Sequence, residues 1–157
     1  MSNTNGISRT VYVTYIRTTP EKLWDALIQP EFTKQYWFGM HHESEWSAGA
    51  PWKLVTDDAR VANTGEVIEL DQPRKLVVTW RFEMSPEMQA EGFSRVTMEI
   101  EPTGDVTKLT VTQEIDFADS KLIEFTRGGW PMVLSSLKSL LETGQSLAMT
   151  RSLPRGM

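Results

Sequence analysis

Two side chains in this sequence have the type and the neighbours for proton chemistry or for polar contact with a ligand. In the run Gly65-Glu66-Val67-Ile68-Glu69-Leu70, Glu66 shares parity with Ile68 and Leu70, so on a strand it should point with them toward a concave core. Gln113 shares parity with Val111 and Ile115 and makes a second inward polar group. A buried polar group needs a partner, so each is either satisfied by protein and water or contacts a ligand. Burial would raise the pKa of Glu66 and suit it to proton transfer with Gln113 orienting a substrate, yet no second catalytic group accompanies them. The two histidines, His41 and His42, are adjacent, so on a strand they face opposite ways and cannot share one ion. They are expected at solvated or rim positions, with no metal bound. No nucleophile elbow, phosphate-binding loop, dinucleotide fingerprint or His-Glu-x-x-His pair occurs, and neither a catalytic residue nor a cofactor is assigned.

The aromatic residues carry the sharper argument. Trp46, Trp52 and Trp80 fall on strand-like segments with apolar parity partners, Tyr36 ends a short helix and Trp37 follows it, and Trp130 sits where a long helix is weakest. These rings read either as core packing or, with Ile68, Phe82, Met98 and Val133, as the walls of a pocket. Pockets that hold small molecules are concave and mainly apolar, with a few oriented polar groups. Gly128 and Gly129 lack side chains and would widen such a gap where the helix passes it.

The elements that must position these groups follow from periodicity. Arg9 to Arg17 is rich in β-branched and aromatic residues and reads as a first strand. Thr19, Pro20 and Glu21 supply a cap, a fixed φ and a favourable charge for a short helix, whose stripe is Leu23, Trp24, Leu27 and Ile28. A second short helix is expected over 31–36, ended by Gly39. Period-two segments near 41–46, 52–56, 60–70, 75–84, 93–101 and 106–116, separated by turn residues, predict an antiparallel meander. Alternation turns Leu76, Val78, Trp80 and Phe82 to one face, with Val96, Met98, Ile100, Leu109, Val111 and Ile115. After Phe117 the period becomes 3.6, and Val133, Leu134, Leu137, Leu140 and Leu141 form the stripe of a final helix capped by Asp119 or Ser120 and stopped by Gly144. Gly128, Gly129 and Pro131 predict a kink or restart near Trp130, because an interior Pro costs about 3 kcal/mol and each Gly about 1. The fold class is therefore α+β: a curved antiparallel sheet of about seven strands around a long C-terminal helix, with two short helices after the first strand.

Size and composition agree with this. A chain of 157 residues makes one domain, read as 9–144, with flexible ends at 1–8 and 145–157. It can bury roughly 70% of its unfolded surface without staples, which suits a sequence with no Cys. A net charge of −5 with no basic cluster argues against nucleic acid as a partner. Met1 to Ser8 has no apolar run, so no signal peptide is expected, and the uncharged stretch Gly128 to Leu137 is far short of the roughly 20 residues that cross a bilayer. A cytoplasmic protein without membrane insertion is the expectation. Six Trp, six Phe, three Tyr and eight Met supply broad apolar walls and adaptable fillers.

Several motifs together resemble a known family. Thr18-Thr19-Pro20-Glu21-Lys22-Leu23-Trp24-Asp25-Ala26-Leu27 resembles the helix entry of the START-like superfamily. Ser44-Glu45-Trp46, Gly49-Ala50-Pro51-Trp52, Gly65-Glu66-Val67, Thr79-Trp80, Gly129-Trp130 and Leu141-Glu142-Thr143-Gly144 are similar to its heat-shock-protein-90 ATPase activator homologue branch. The resemblance implies a helix-grip fold with an internal cavity used for lipids, polyketides and other apolar molecules. It also implies that the inward polar position of the last strand, held by His in many relatives, is here Gln113. Three functions follow as expectations: a carrier of a small apolar ligand (lipid, polyketide or aromatic metabolite), a cyclase- or hydrolase-type enzyme using Glu66, or a module that binds a chaperone or regulatory protein partner. The inward aromatic set puts ligand carriage first, and the co-chaperones that give the branch its name carry an additional N-terminal domain that this chain is expected to lack, which sets a chaperone role behind it.

Overall fold

Turn residues reverse the chain after almost every strand, and the strands consequently pair with their sequence neighbours. The computed structural model describes residues 6–154; what was expected of residues 1–5 and 155–157 lies outside the described residues. The strands are β1 (Ser8–Ile16), β2 (His41–Ser44), β3 (Pro51–Val55), β4 (Val61–Asp71), β5 (Lys75–Phe82), β6 (Ser94–Thr103) and β7 (Val106–Ile115). They form one antiparallel sheet in the order β1-β7-β6-β5-β4-β3-β2, so only β1 makes a long-range pairing, with β7. Between β1 and β2 lie α1 (Pro20–Ile28) and α2 (Pro30–Tyr36), each opening on a proline at its first helical position, where the missing N–H costs nothing.

The inner face of the sheet is the one alternation assigns. Leu76, Val78, Trp80 and Phe82 on β5, Val96, Met98 and Ile100 on β6, and Leu109, Val111 and Ile115 on β7 are all buried. Against them lies α4 (Lys121–Thr143), capped by the Ser120 side chain, which accepts from the Ile123 N–H, and closed by Gly144 in the left-handed conformation at φ 84°. The helix runs through Gly128, Gly129 and Pro131 without the expected restart. The buried stripe Val133, Leu134, Leu137 and Leu140 anchors it beyond the weak point, and tertiary packing outweighs local propensity.

Two further elements differ from expectation. A one-turn helix, α3 (Pro86–Gln89), follows β5; its cap Ser85 precedes Pro86 and Glu87 just as Thr19 precedes Pro20 and Glu21. Residues 145–154 were expected to be a loose tail, but they fold back on the domain. Gly144 turns the chain, a single 3-10 turn spans Ala148–Thr150, and Thr150 is completely buried. Its hydroxyl lies 2.6 Å from Ser136 Oγ on α4, and its carbonyl accepts from the Phe38 N–H at 2.7 Å. Leu153 packs on the core.

The core itself is divided. One large cluster runs from α1 and α2 through the Trp residues to Leu140, and a smaller one holds Phe82, Ile115, Leu122 and Ile123. The gap between them, where α4 carries its two glycines, is the structural origin of the site.

Candidate functional site

Five indoles and one imidazole meet at the wide end of the sheet. Trp37, delivered by the C-terminus of α2, stacks on Trp80 with ring centroids 5.6 Å apart. Trp130 of α4 sits edge-on to both at 5.5 Å. Trp52 packs on Trp80 at 4.7 Å. His42 is wedged among Trp37, Trp46 and Trp52 at 5.4 to 5.7 Å. Such tilted and edge contacts suit the ring quadrupoles and fix the rings relative to one another.

Hydrogen bonds then set each indole. Trp130 donates its Nε1–H to Gln113 Oε1 at 2.8 Å, and the Gln113 amide nitrogen donates to Ser94 Oγ at 3.0 Å. Trp80 donates to Asn63 Oδ1 at 2.7 Å, and Trp52 to the Thr79 carbonyl at 2.9 Å. The last contact is possible because Gly65 lies between: a Cβ there would stand 1.8 Å from the Thr79 oxygen and 2.5 Å from Trp52 Nε1. The indoles therefore interlock, but space remains beside them.

That space is a cavity of about 310 Å3 between β4, β5 and α4, within the range of small-molecule sites. Trp37, Trp80 and Trp130 form one wall, and Phe82 and Leu122 face them from the smaller cluster. The Gly128-Gly129 step opens its side, since a Cβ on either residue would meet nothing within 4 Å. Phe125 and Met132 on α4 line it and remain 44% and 37% exposed, forming an apolar rim, while Leu153 and Pro154 of the returning C-terminal segment close another side. Among the described residues, no lining side chain is ionisable.

Of the residues singled out in the sequence, Trp37, Trp80, Phe82, Gly129, Trp130 and Val133 line this cavity. Tyr36 does not: it is fully buried and donates its hydroxyl to the Ala26 carbonyl, and burial holds its pKa far above the usual phenol value. Met98 is core, Trp52 is packed behind Trp80, and Trp46 covers His42 at the sheet edge, with a left-handed φ of 48°. Gln113 is buried as expected, but its bonds to Trp130 and Ser94 place it behind the wall.

Glu66 and Ile68 require correction. Both are exposed, because β4 carries a bulge between Val67 and Glu69 that makes Ile68 the extra residue and reverses parity there. Leu70 therefore faces inward with Val67, and Glu66 points out to a surface groove beside Glu43, Glu45 and Lys53. The carboxylate is absent from the cavity, which removes the basis for Glu66 as an acid or base there. His42 also departs from the rim position expected for it. It is 5% exposed, its Nδ1 has no partner, and burial, with a smaller contribution from His41, lowers its pKa to about 3. His41 on the opposite face pairs with Glu43 at 2.9 Å.

Sequence reasoning missed Asn63, Met40, Met84, Phe125, Met132 and the Leu153-Pro154 segment as cavity residues. Phe125, Met132 and Gly129 do recur at helical spacing, which was a usable signal. Asn63 had no such signal. A second bulge, opposite Leu54 and Val55, inserts Ala62 and turns Ala62 and Asn63 both into buried positions.

Among the described residues no helix is long and apolar enough to cross a membrane. No curated protein matches the sequence significantly. Solved structures do: a protein from Mesorhizobium loti is 26% identical, with 85% of this chain and 96% of that one covered at a TM-score of 0.72. The Aha1 dimer from Colwellia psychrerythraea is 17% identical over 88% of this chain and 99% of that one, TM-score 0.72. An HSP90 activator from Plasmodium falciparum is 21% identical over 85% and 95%, TM-score 0.69. At these TM-scores the three share this chain's fold. Residues 17–142 match the family described as Activator of Hsp90 ATPase homolog 1-like protein, and on that match the chain belongs to this family, a branch of the START-like superfamily.

Proposed function

We propose that this protein binds a small apolar molecule in the cavity between β5 and α4, as a carrier rather than an enzyme. The observation that carries this reading is a gap of about 310 Å3 left open between two packed core clusters, with a wall of three mutually fixed indoles. Protein interiors are otherwise packed to crystal-like density, so a gap of this size beside a fixed aromatic wall stands out. A fold that keeps side chains out of this space and places Gly-Gly beside it leaves room for a guest. The lining has no charged group, which favours a neutral guest such as an aromatic metabolite, a polyketide or part of a lipid.

Titration of the purified protein with N-phenyl-1-naphthylamine tests this. Saturable quenching of Trp fluorescence with a matching rise in probe emission is expected, at one site per chain. Absence of saturable binding by this and other ring-sized apolar probes would overturn it.

A second reading, binding to an Hsp90-class ATPase, is favoured by one observation. The outer face of β1 exposes Val11, Val13 and Tyr15 in a row at 53%, 43% and 47%, and the family takes its name from such an activator. Stimulation of that ATPase by the protein, lost in Val13→Lys, would support it.

A further inference from the structure

We propose that Asn63 orients the guest, and that the guest is therefore an apolar, ring-sized molecule carrying a hydrogen-bond acceptor, such as a carbonyl or ether oxygen. This inference rests on the reading of the cavity as a binding site and adds the polar half of its specificity. The bulge in β4 aims Asn63 inward, where it is 5% exposed and forms part of the cavity lining. Its carboxamide orientation is fixed chemically. The Trp80 indole N–H can only donate, so the Asn63 atom 2.7 Å from it is the oxygen. The amide nitrogen is left with two N–H donors and, among the described residues, no protein partner. Among the described residues the sealed side-chain polar atoms without a partner are Trp24 Nε1 and His42 Nδ1, so the Asn63 nitrogen is open to the cavity.

Around that nitrogen the lining offers little to accept its hydrogens. Thr126 is the other hydroxyl- or amide-bearing residue of the lining, and its own O–H is directed to the Ile123 carbonyl at 3.4 Å. Trp37 also lines the cavity, and its indole N–H makes no hydrogen bond among the described residues, so it is a further donor without a protein acceptor in the lining. The lining is thus apolar with an excess of donors. A hydrocarbon guest would strip water from the Asn63 amide and leave it unpaired, whereas a guest oxygen would replace the water. Sites built to hydrogen-bond a ligand group discriminate against analogues that lack it more strongly than apolar pockets discriminate by size.

The test uses two isosteric probes, 2-acetylnaphthalene and 2-isopropenylnaphthalene, which differ in C=O against C=CH2. Binding of each is measured by Trp quenching in the wild-type protein and in Asn63→Leu. The ketone-to-alkene affinity ratio is expected to fall about tenfold or more in the variant, in the range of a lost hydrogen bond, while the alkene still binds. An unchanged ratio with both probes bound would overturn the role of Asn63 and leave the cavity reading intact. Failure of both probes to bind the wild type would overturn the cavity reading and this inference with it. Should Asn63→Leu not fold, because the Trp80 N–H loses its acceptor, the wild-type Asn63 side-chain NH2 signals decide by 15N-edited NMR. A downfield proton shift with the ketone and not with the alkene is expected, and no ketone-specific shift would overturn the proposal.

Discussion

Gly65 shows how much a single missing side chain can determine. Its Cα lies where β4 passes under Trp52, and a methyl group would overlap the Thr79 carbonyl on the neighbouring strand. Gly65→Ala should therefore destabilise the protein by about 3 kcal/mol, through overpacking against backbone that cannot retreat and loss of the Trp52 bond; urea unfolding measures it. His42 makes a prediction of a different kind. Folded, it stays neutral down to about pH 3, while the unfolded chain takes up a proton near 6.5. The unfolded state thus binds more protons between those values, so the stability contribution is complete above pH 6.5 and is lost as pH falls toward 3, at up to roughly 1.4 kcal/mol per unit. Glu43 and Glu142, held below the usual carboxylate range chiefly by hydrogen bonds from His41 and from the Arg17 N–H, lose their contributions only at lower pH. Urea midpoints between pH 6.5 and 5 should consequently slope downward in the wild type and flatten in His42→Phe. The burial of His42 was not legible from the period-two signal read over 41–46, of which only His41–Ser44 forms a strand. Its environment comes from Trp37 and Trp46, which lie outside that strand, and from Trp52 across it.

At the scale of elements, α4 combines two opposed demands. Its C-terminal half grips the sheet through Leu134, Leu137 and Leu140, while its N-terminal half carries two glycines that lower helix stability and leave space. Gly129→Leu separates the demands. The substitution should improve helix propensity by close to 1 kcal/mol, raising Tm by about 3 °C for a domain of this size. The same side chain would occupy the cavity, so apolar-probe affinity should fall at least tenfold; calorimetry and fluorescence titration together check both directions. An outcome in which stability rises and binding is untouched would mean that the glycines serve something other than room. The strands, the long helix and its caps were readable because local pattern and tertiary role coincide in them. The two bulges of β4 were not, since a bulge is specified by what lies on the neighbouring strands. They are the reason Glu66 and Ile68 face solvent and Asn63 faces the cavity. The helical turn after Ser85 and the return of residues 145–154 were missed for a similar reason, because each is held by a few polar contacts such as Thr150 to Ser136 rather than by a periodic apolar stripe.

For the whole molecule, the essential feature is a core in two parts with a hollow between them. Three methionines, Met40, Met84 and Met132, reach that hollow from the α2–β2 connection, the end of β5 and α4, whereas Met98 lies in the main cluster away from it. Their methyl groups are sharp reporters at independent points on the wall. The most direct measurement is a methyl-13C NMR titration of methionine-labelled protein with naphthalene, which probes occupancy without relying on any polar contact. Large ring-current shifts of the Met40, Met84 and Met132 methyls along one saturating isotherm, with the Met98 methyl nearly unmoved, are the predicted result. Unshifted cavity methyls at naphthalene saturation, or shifts confined to methionines elsewhere on the surface, would contradict it.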